Sequence, residues 1–124
     1  MVKRFEIFKC RCCGSVVEVL HPGIGDLVCC EQHMQVVDEN NMDASRDKHE
    51  PVYEKMDDGI MIKIGNEDHP MMASHHVQWI ELVSEGESYR HFLKPGDKPE
   101  VFVKTDLKDF TAREYCNLHG LWKK

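Results

Sequence analysis

The sequence contains no long hydrophobic run. Hydrophobic residues make up 41% of the chain, but no apolar stretch approaches the ~18 consecutive residues of a membrane span. The first ten residues, MVKRFEIFKC, also lack an apolar stretch long enough for a secretory signal. We therefore expect no membrane partner and a cytoplasmic location.

The sequence also lacks an excess of positive charge. It has 16 Lys and Arg residues against 22 Asp and Glu residues, which gives a formal net charge of -6 and a pI near 5.7. Because binding to phosphate groups needs a cationic face, this balance argues against a nucleic-acid partner.

No internal repeat, low-complexity tract or long amphipathic helix is apparent. The 124 residues correspond to one ordinary domain, or to one domain with a small appendage. The cysteines are unevenly distributed, with five in the first 30 positions and Cys116 alone near the end. This distribution predicts a small unit over residues 1–36 and a larger unit over residues 37–124. The first is too short for a hydrophobic core to stabilise it well, and such units usually need a metal or a disulfide.

The rest of the chain has the pattern of a mainly β protein. Residues 38–50, DENNMDASRDKHE, are polar and predict a linker or exposed loop. VYEKM, DDG and IMIKI then predict a hairpin with Asp58-Gly59 as its two-residue loop. HVQWIELV, SYRHFL, EVFVKT and TAREYC predict further strands, separated by turn residues. This pattern indicates an antiparallel sandwich or a small barrel.

The first group of candidate ligands consists of cysteines. CRCC, fifteen further residues and CC give a Cys10-x-x-Cys13 pair and an adjacent Cys29-Cys30 pair. Two thiolates in a CxxC turn can face one ion, and four complete a tetrahedral site for iron or zinc. Cysteines in a reducing compartment are more often metal ligands or catalytic thiols than disulfides, although a disulfide-stapled or reduced knuckle is the alternative. We interpret Cys12 as a bystander in the turn, or as a redox-sensitive thiol.

The second group combines histidines with the remaining cysteine. Among the eight histidines are His49, His69, the pair His75 and His76, and His119. Any one of them alone is more often a surface or core histidine than a ligand. Together with Cys116, which lies three residues before His119 in YCNLHGLW, they make a mixed nitrogen and sulfur site plausible. We interpret the aromatic residues that flank this last motif as packing residues.

Several motifs of the chain closely resemble those of the desulfoferrodoxins, the two-iron form of superoxide reductase. The order and spacing of the motifs agree over nearly the whole length. The motifs are FKCRCC, VVEVL, LVCC, KH followed by PV, HPM, the histidine before WIEL, FLKPGD and AREYCNLHGLW.

The resemblance implies two iron ions per chain. It places one iron in a small rubredoxin-like or desulforedoxin-like N-terminal domain, held by Cys10, Cys13, Cys29 and Cys30. It places the second iron in an immunoglobulin-like antiparallel β-sandwich, with Cys116 as the axial ligand and four equatorial histidines. Those histidines are His49, His69, His75 and His119. The resemblance also implies a homodimer.

The activity implied by the resemblance is the one-electron reduction of superoxide to hydrogen peroxide. It occurs at the open axial position of the ferrous iron, with electrons from rubredoxin or a similar donor. Imidazoles suit ferrous iron as neutral ligands, and the Cys116 thiolate donates electron density to it. Lys48, in the KH motif, is expected to attract the superoxide anion and to orient a water that protonates the product. Alternatively, Lys48 is a solvated loop lysine.

Two other classes of function fit parts of the pattern. In the first, the chain is a non-catalytic electron carrier whose irons are fully coordinated, so that no substrate binds. In the second, it is a zinc-ribbon binding module without redox chemistry. The acidic charge disfavours the zinc module, as do the five candidate ligands at a site that zinc usually fills with four.

Asp47 yields a prediction from the sequence alone. The family commonly has a glutamate before the lysine of its KH motif, and this chain has Asp47, which is one methylene shorter. We include Asp47 with Lys48 among the candidate catalytic residues, and the question is whether its carboxylate reaches the oxidised iron. If it does not, Asp47→Glu is expected to alter the absorption spectrum of the oxidised protein and its affinity for anions. Spectra and anion titrations at equal iron content measure this, and identical results would show that side-chain length is unimportant here.

Overall fold

The structure of the chain, a computed structural model, describes residues 2–39, 46–65 and 69–124, with only the backbone at residues 46 and 47. The fold is mainly β, as predicted, with twelve strands and one short helix in the described part. No helix in these ranges is both long enough and apolar enough to cross a membrane. The chain divides into two compact units, the first ending at Asp38 and the second beginning at Glu39.

The first unit is a small β structure with little apolar core. A three-stranded antiparallel sheet has the order β2-β1-β5, and β3 pairs with β4 in a separate hairpin. Among the described residues of this unit, the buried apolar side chains are Ile7, Cys10 and Val19. So small a core is the reason that such units depend on a cross-link or a metal. The strands are β1 (Ile7–Lys9), β2 (Val16–Glu18), β3 (Val28–Cys29), β4 (Gln32–His33) and β5 (Gln35–Val36).

The second unit is an antiparallel β-sandwich. One sheet has the order β10-β7-β6 and the other has the order β12-β11-β8-β9. The elements are α1 (Arg46–His49), β6 (Pro51–Met56), β7 (Gly59–Ile64), β8 (Val77–Val83), β9 (Ser88–Phe92), β10 (Glu100–Val103), β11 (Thr111–Cys116) and β12 (Gly120–Lys123).

The sandwich core follows from alternation along the strands. Ile60, Ile62 and Ile64 of β7 are each at most 2% exposed and share one face, because successive side chains of a strand point to opposite faces. They belong to the same buried cluster as Ile80 and Leu82 of β8. The period-2 pattern of IMIKI therefore identifies the inner face of this sheet.

The predicted hairpin is present, but its loop is shifted by one residue. Met56 pairs with Gly59, so the two loop residues are Asp57 and Asp58 rather than Asp58 and Gly59. Gly59 serves close packing instead of the turn. A Cβ atom at this position would lie 2.3 Å from the carbonyl oxygen of Val103 on the neighbouring strand.

Two other sequence predictions need correction. The polar segment over residues 38–50 is not entirely a loop, because Arg46–His49 forms α1 and the side chain of His49 is buried. Residues 40–45 lie outside the described part of the chain. The second correction concerns β12, Gly120–Lys123, which was not among the predicted strands and pairs with β11.

The strand order brings three connecting segments to one end of the sandwich. Pro51 at the start of β6 pairs with Ile64 at the end of β7, and Val77 at the start of β8 pairs with Cys116 at the end of β11. The segment before β6, the β7–β8 connection and the β11–β12 turn therefore lie close together. Each of the three carries candidate ligands.

Gly59→Ala tests the close approach of the strands. The added methyl group meets a backbone carbonyl that cannot move independently of β10, so we expect a loss of about 1–3 kcal/mol in the free energy of unfolding. Gly86→Ala is the matched control, because a Cβ atom there has no neighbour within 4 Å among the described atoms. Denaturant unfolding of both variants measures the difference, and equal stabilities would contradict this packing.

Candidate metal centres

The four predicted cysteine ligands of the first unit lie together. The sulfur atoms of Cys10, Cys13, Cys29 and Cys30 are all within 4.8 Å of one another. The Cys13 and Cys29 sulfurs are 3.6 Å apart, and those of Cys29 and Cys30 are 3.9 Å apart. All six cysteines of the chain are free thiols, so the disulfide alternative is wrong. We call these four residues the four-cysteine cluster.

The two hairpins of the first unit position these sulfurs. Cys10 directly follows β1, and the backbone N–H of Cys13 donates to its sulfur at 3.5 Å. On the β3–β4 hairpin, Cys30 and Glu31 have φ values of 53° and 61° in the left-handed region, which makes a two-residue turn with Cys29 at its start. Cys12 is exposed and lies outside the cluster.

The thiols of the four-cysteine cluster differ in acidity. The hydroxyl of Ser15, 3.2 Å from the Cys13 sulfur, lowers the pKa of Cys13 to about 6. The neighbouring thiols of Cys10 and Cys13 raise the pKa of Cys29 to about 12. Several thiolates this close together repel one another unless a cation lies between them. The cluster therefore fits a tetrahedral thiolate site for a metal ion.

The second group of predicted ligands meets at the end of the sandwich. The ligand atoms of His49, His69 and His75 lie within 4.8 Å of one another, and so do those of His49, Cys116 and His119. The ring of His49 is 4.5 Å from that of His69 and 4.7 Å from that of His119, centroid to centroid. We call these five residues the His/Cys cluster. It draws its members from α1, the β7–β8 connection and the β11–β12 turn.

Three imidazoles of this cluster are held in the neutral form. Burial lowers the pKa of His49 to about 3 and that of His69 to about 4, and it lowers the pKa of His75 as well. The charges of neighbouring histidines act in the same direction. A neutral imidazole keeps the lone pair that a metal needs, so the cluster is ready to bind at neutral pH.

Hydrogen bonds orient two of these rings. Nδ1 of His69 donates to the carbonyl oxygen of Pro70 at 2.7 Å, so the lone pair of this ring is on Nε2. Nε2 of His69 lies 3.0 Å from Nδ1 of His49. Nε2 of His75 is buried and has no hydrogen-bond partner among the described residues. An unpaired buried nitrogen, on a ring within 6.1 Å of the three other imidazoles from centroid to centroid, is the feature that best fits a bound metal ion.

The thiol of Cys116 is fully buried. Burial raises its pKa, while the backbone N–H groups of Leu118 and His119 oppose that rise. Metal binding would remove the thiol proton, because the thiolate is the form that coordinates. The same two N–H groups then stabilise the negative charge on the sulfur.

Trp122 was predicted to be a packing residue, whereas Glu114 was not predicted to have a role at the site. The Trp122 indole stacks on the His49 ring with 5.2 Å between the ring centroids, which is the expected packing role. Its Nε1 also donates to the His119 carbonyl oxygen at 3.1 Å, and this hydrogen bond orients the indole. Glu114 is buried on the same face of β11 as Cys116, and burial raises the pKa of its carboxyl well above the usual value. An acidic residue in a strand gives no sequence signal for this placement.

Of the two candidate catalytic residues, the structure describes the side chain of Lys48 alone. Lys48 is exposed in α1, and its charge contributes to lowering the pKa of both His49 and His75. Its ammonium group is therefore close enough to the cluster to act on it electrostatically. Asp47 also lies in α1, but its side chain is outside the described part of the structure.

Comparison with known protein families covers both units. A family profile described as Desulfoferrodoxin, N-terminal domain, matches residues 2–37. A second profile, described as Desulfoferrodoxin, matches residues 41–124. The chain belongs to the desulfoferrodoxin family.

Individual relatives of this family agree with the match. A desulfoferrodoxin of Syntrophotalea carbinolica is 51% identical over 122 residues, which are 98% of this chain and 97% of the relative. A superoxide reductase of Pyrococcus horikoshii is 33% identical over 100 residues, which are 65% of this chain and 87% of the relative. The crystal structure of the superoxide reductase from Treponema pallidum has a TM-score of 0.76 at 26% identity and covers 98% of this chain and 99% of that one.

Superoxide reduction, an oxidoreductase reaction, is the activity of the desulfoferrodoxin family, and the cluster of histidines and cysteine is present in this chain. The recognition of the family from sequence motifs is thus confirmed. The two clusters are consistent with the two metal sites of a two-iron desulfoferrodoxin.

Replacing Cys12 or Cys13 of the CRCC turn distinguishes a ligand from a bystander. Cys13→Ser is expected to remove metal from the four-cysteine cluster, because the hydroxyl is a poor substitute for a thiolate. Cys12→Ser is its matched control and is expected to retain native metal content and absorption. Metal analysis per chain measures both. Loss of metal in Cys12→Ser together with retention in Cys13→Ser would reverse the assignment.

Proposed function

We propose that this chain reduces superoxide to hydrogen peroxide at an iron ion held by the His/Cys cluster. The main support for the proposal is that four imidazoles and one thiol lie close together and that the buried Nε2 of His75 has no hydrogen-bond partner among the described residues. Membership of the desulfoferrodoxin family supports the reaction. The five residues are His49, His69, His75, Cys116 and His119.

The donor set favours iron over zinc. Five nitrogen and sulfur donors exceed the four that zinc usually takes, whereas ferrous iron accepts imidazoles and a thiolate in a larger coordination shell. The four-cysteine cluster accepts either metal on ligand chemistry alone, and its place in a two-iron family supports iron there too. When bound in the His/Cys cluster, ferrous iron supplies the single electron that the reaction needs.

Lys48 is the residue that brings the substrate to the site. The chain carries a net charge of -6, which repels superoxide at long range. A local ammonium group beside the cluster offsets this repulsion and concentrates the anion where it reacts. Formation of hydrogen peroxide from superoxide consumes one electron and two protons. A water held by the Lys48 ammonium is well placed to deliver a proton, and Asp47, the preceding residue, is the second candidate at this position.

Cys116 and its surroundings adjust the electron-donating strength of the site. The thiolate donates electron density, which favours electron transfer to the substrate. The backbone N–H groups of Leu118 and His119 stabilise charge on the sulfur and so moderate that donation. This balance comes from the short β11–β12 turn, which carries a ligand at each end.

The remaining parts of the proposal concern partners. We propose rubredoxin or a similar carrier as the electron donor, a homodimer as the assembly, and the cytoplasm as the compartment. The donor and the dimer are supported by the family resemblance. The compartment is supported by the sequence, whose first ten residues have no apolar stretch long enough for a secretory signal.

Lys48→Ala is expected to slow the capture of superoxide while metal content is retained. Loss of one steering charge is expected to lower the second-order rate constant by about tenfold, at the low end of what electrostatic steering contributes. The effect should shrink as ionic strength rises. Stopped-flow mixing of the reduced protein with superoxide measures the rate constant.

Lys104→Ala is the matched control for this experiment. Lys104 is exposed and follows β10, at the end of the β6–β7 hairpin opposite to His49. The hairpin separates the two positions by about 17 Å. We expect the control to react at the native rate. A native rate in Lys48→Ala would contradict steering by Lys48.

A further inference from the structure

The loop that carries His75 has little regular structure of its own. Met72 and His75 form an isolated bridge, in which each backbone N–H donates to the carbonyl oxygen of the other, at 2.9 and 3.0 Å. The neighbouring ladder between β8 and β11 shifts its register between Tyr115 and Cys116. Regular strand pairing therefore does not by itself fix the position of His75 relative to the β11–β12 turn.

Asn117 joins this loop to the β11–β12 turn. Its backbone N–H donates to the carbonyl oxygen of His76 at 3.1 Å, and its Oδ1 accepts from the N–H of His76 at 2.9 Å. Its Nδ2 donates to the carbonyl oxygen of Ser74 at 3.1 Å. These three hydrogen bonds hold the residues on both sides of His75.

We propose that Asn117 is a positioning residue that fixes His75 relative to Cys116 and His119. Asn117 is itself located between these two ligands in the sequence, so any movement of the turn is transmitted to the His75 loop. The rings of His75 and His119 lie 4.8 Å apart. A small displacement of the loop therefore changes the distance between two of the five donor atoms.

A side-chain amide suits this role for a chemical reason. It carries one acceptor and one donor on a single rigid plane, and the loop presents one N–H at His76 and one carbonyl at Ser74. A carboxylate has acceptors alone, so it can satisfy the N–H but repels the carbonyl. A methyl group satisfies neither. The two hydrogen bonds can thus be removed separately.

The test measures metal release from the iron-loaded full chain, and it rests on the proposed iron site. Asn117→Ala removes both side-chain hydrogen bonds and keeps the backbone one. We expect the His/Cys cluster of this variant to lose iron to a chelator about 10- to 100-fold faster than in the native chain. The absorption band from the Cys116 thiolate is expected to shift. Asn117→Asp should give an intermediate rate, because it keeps the acceptor for His76.

Two controls accompany these variants. Ser74→Ala changes the same loop but keeps the carbonyl oxygen that Asn117 contacts, so its iron release should be native. The four-cysteine cluster, in the other compact unit of the same chain, is an internal reference and should release its metal at the native rate in every variant. Acceleration confined to the His/Cys cluster supports the proposal.

Other results would overturn the positioning role of Asn117. Native release and an unchanged absorption band in Asn117→Ala would overturn the positioning role, and so would equal acceleration at both clusters. If Asn117→Ala fails to fold, Asn117→Asp and Ser74→Ala decide, since equal rates for these two would overturn it. A native chain that loads metal at the four-cysteine cluster alone would instead overturn the proposed iron site, and this inference with it.

Discussion

The second unit depends on keeping the imidazoles of His49, His69 and His75 neutral and close together. Burial lowers the pKa of His49 to about 3 and that of His69 to about 4, so protonation does not compete with a metal at neutral pH. Burial also removes these nitrogens from water, and Nε2 of His75 has no hydrogen-bond partner among the described residues. A bound cation would resolve this conflict, and the sandwich, the short helix and the two ligand loops maintain the arrangement that would receive it.

Both clusters hold several candidate ligand side chains close together, but the amount of surrounding structure differs between them. The four-cysteine cluster belongs to a unit with a very small apolar core, so its sulfurs and hairpins are themselves most of the structure. The His/Cys cluster lies at one end of a sandwich whose core contains the isoleucines of β7 and the apolar residues of β8. The exposed Lys48 is close enough to the His/Cys cluster to act on it electrostatically.

Much of this could be predicted from the sequence, for identifiable reasons. The CxxC pair and Cys116 with His119 are each close in sequence, so their proximity in the structure could be predicted. Strand alternation is also local, and the predicted strand β7 is present. The separated histidines could be grouped only through family resemblance, because spacing alone does not show that α1 and the β7–β8 connection meet. The hairpin loop was misplaced by one residue because Gly59 resembles a turn residue, whereas contact with Val103 requires it. The contacts of Trp122 and Asn117 arise from tertiary structure and leave no pattern in the sequence.

The proposed function requires that the His/Cys cluster reduce superoxide without dismutating it. Mixing anaerobically reduced protein with a superoxide pulse, while following the visible spectrum and the yields of hydrogen peroxide and dioxygen, tests this requirement. We expect rapid oxidation of the iron in the His/Cys cluster, with one hydrogen peroxide per superoxide consumed and no dioxygen. Dioxygen evolved alongside hydrogen peroxide would indicate dismutation, and the absence of a fast reaction would indicate an electron carrier. Either result would contradict superoxide reduction at this cluster.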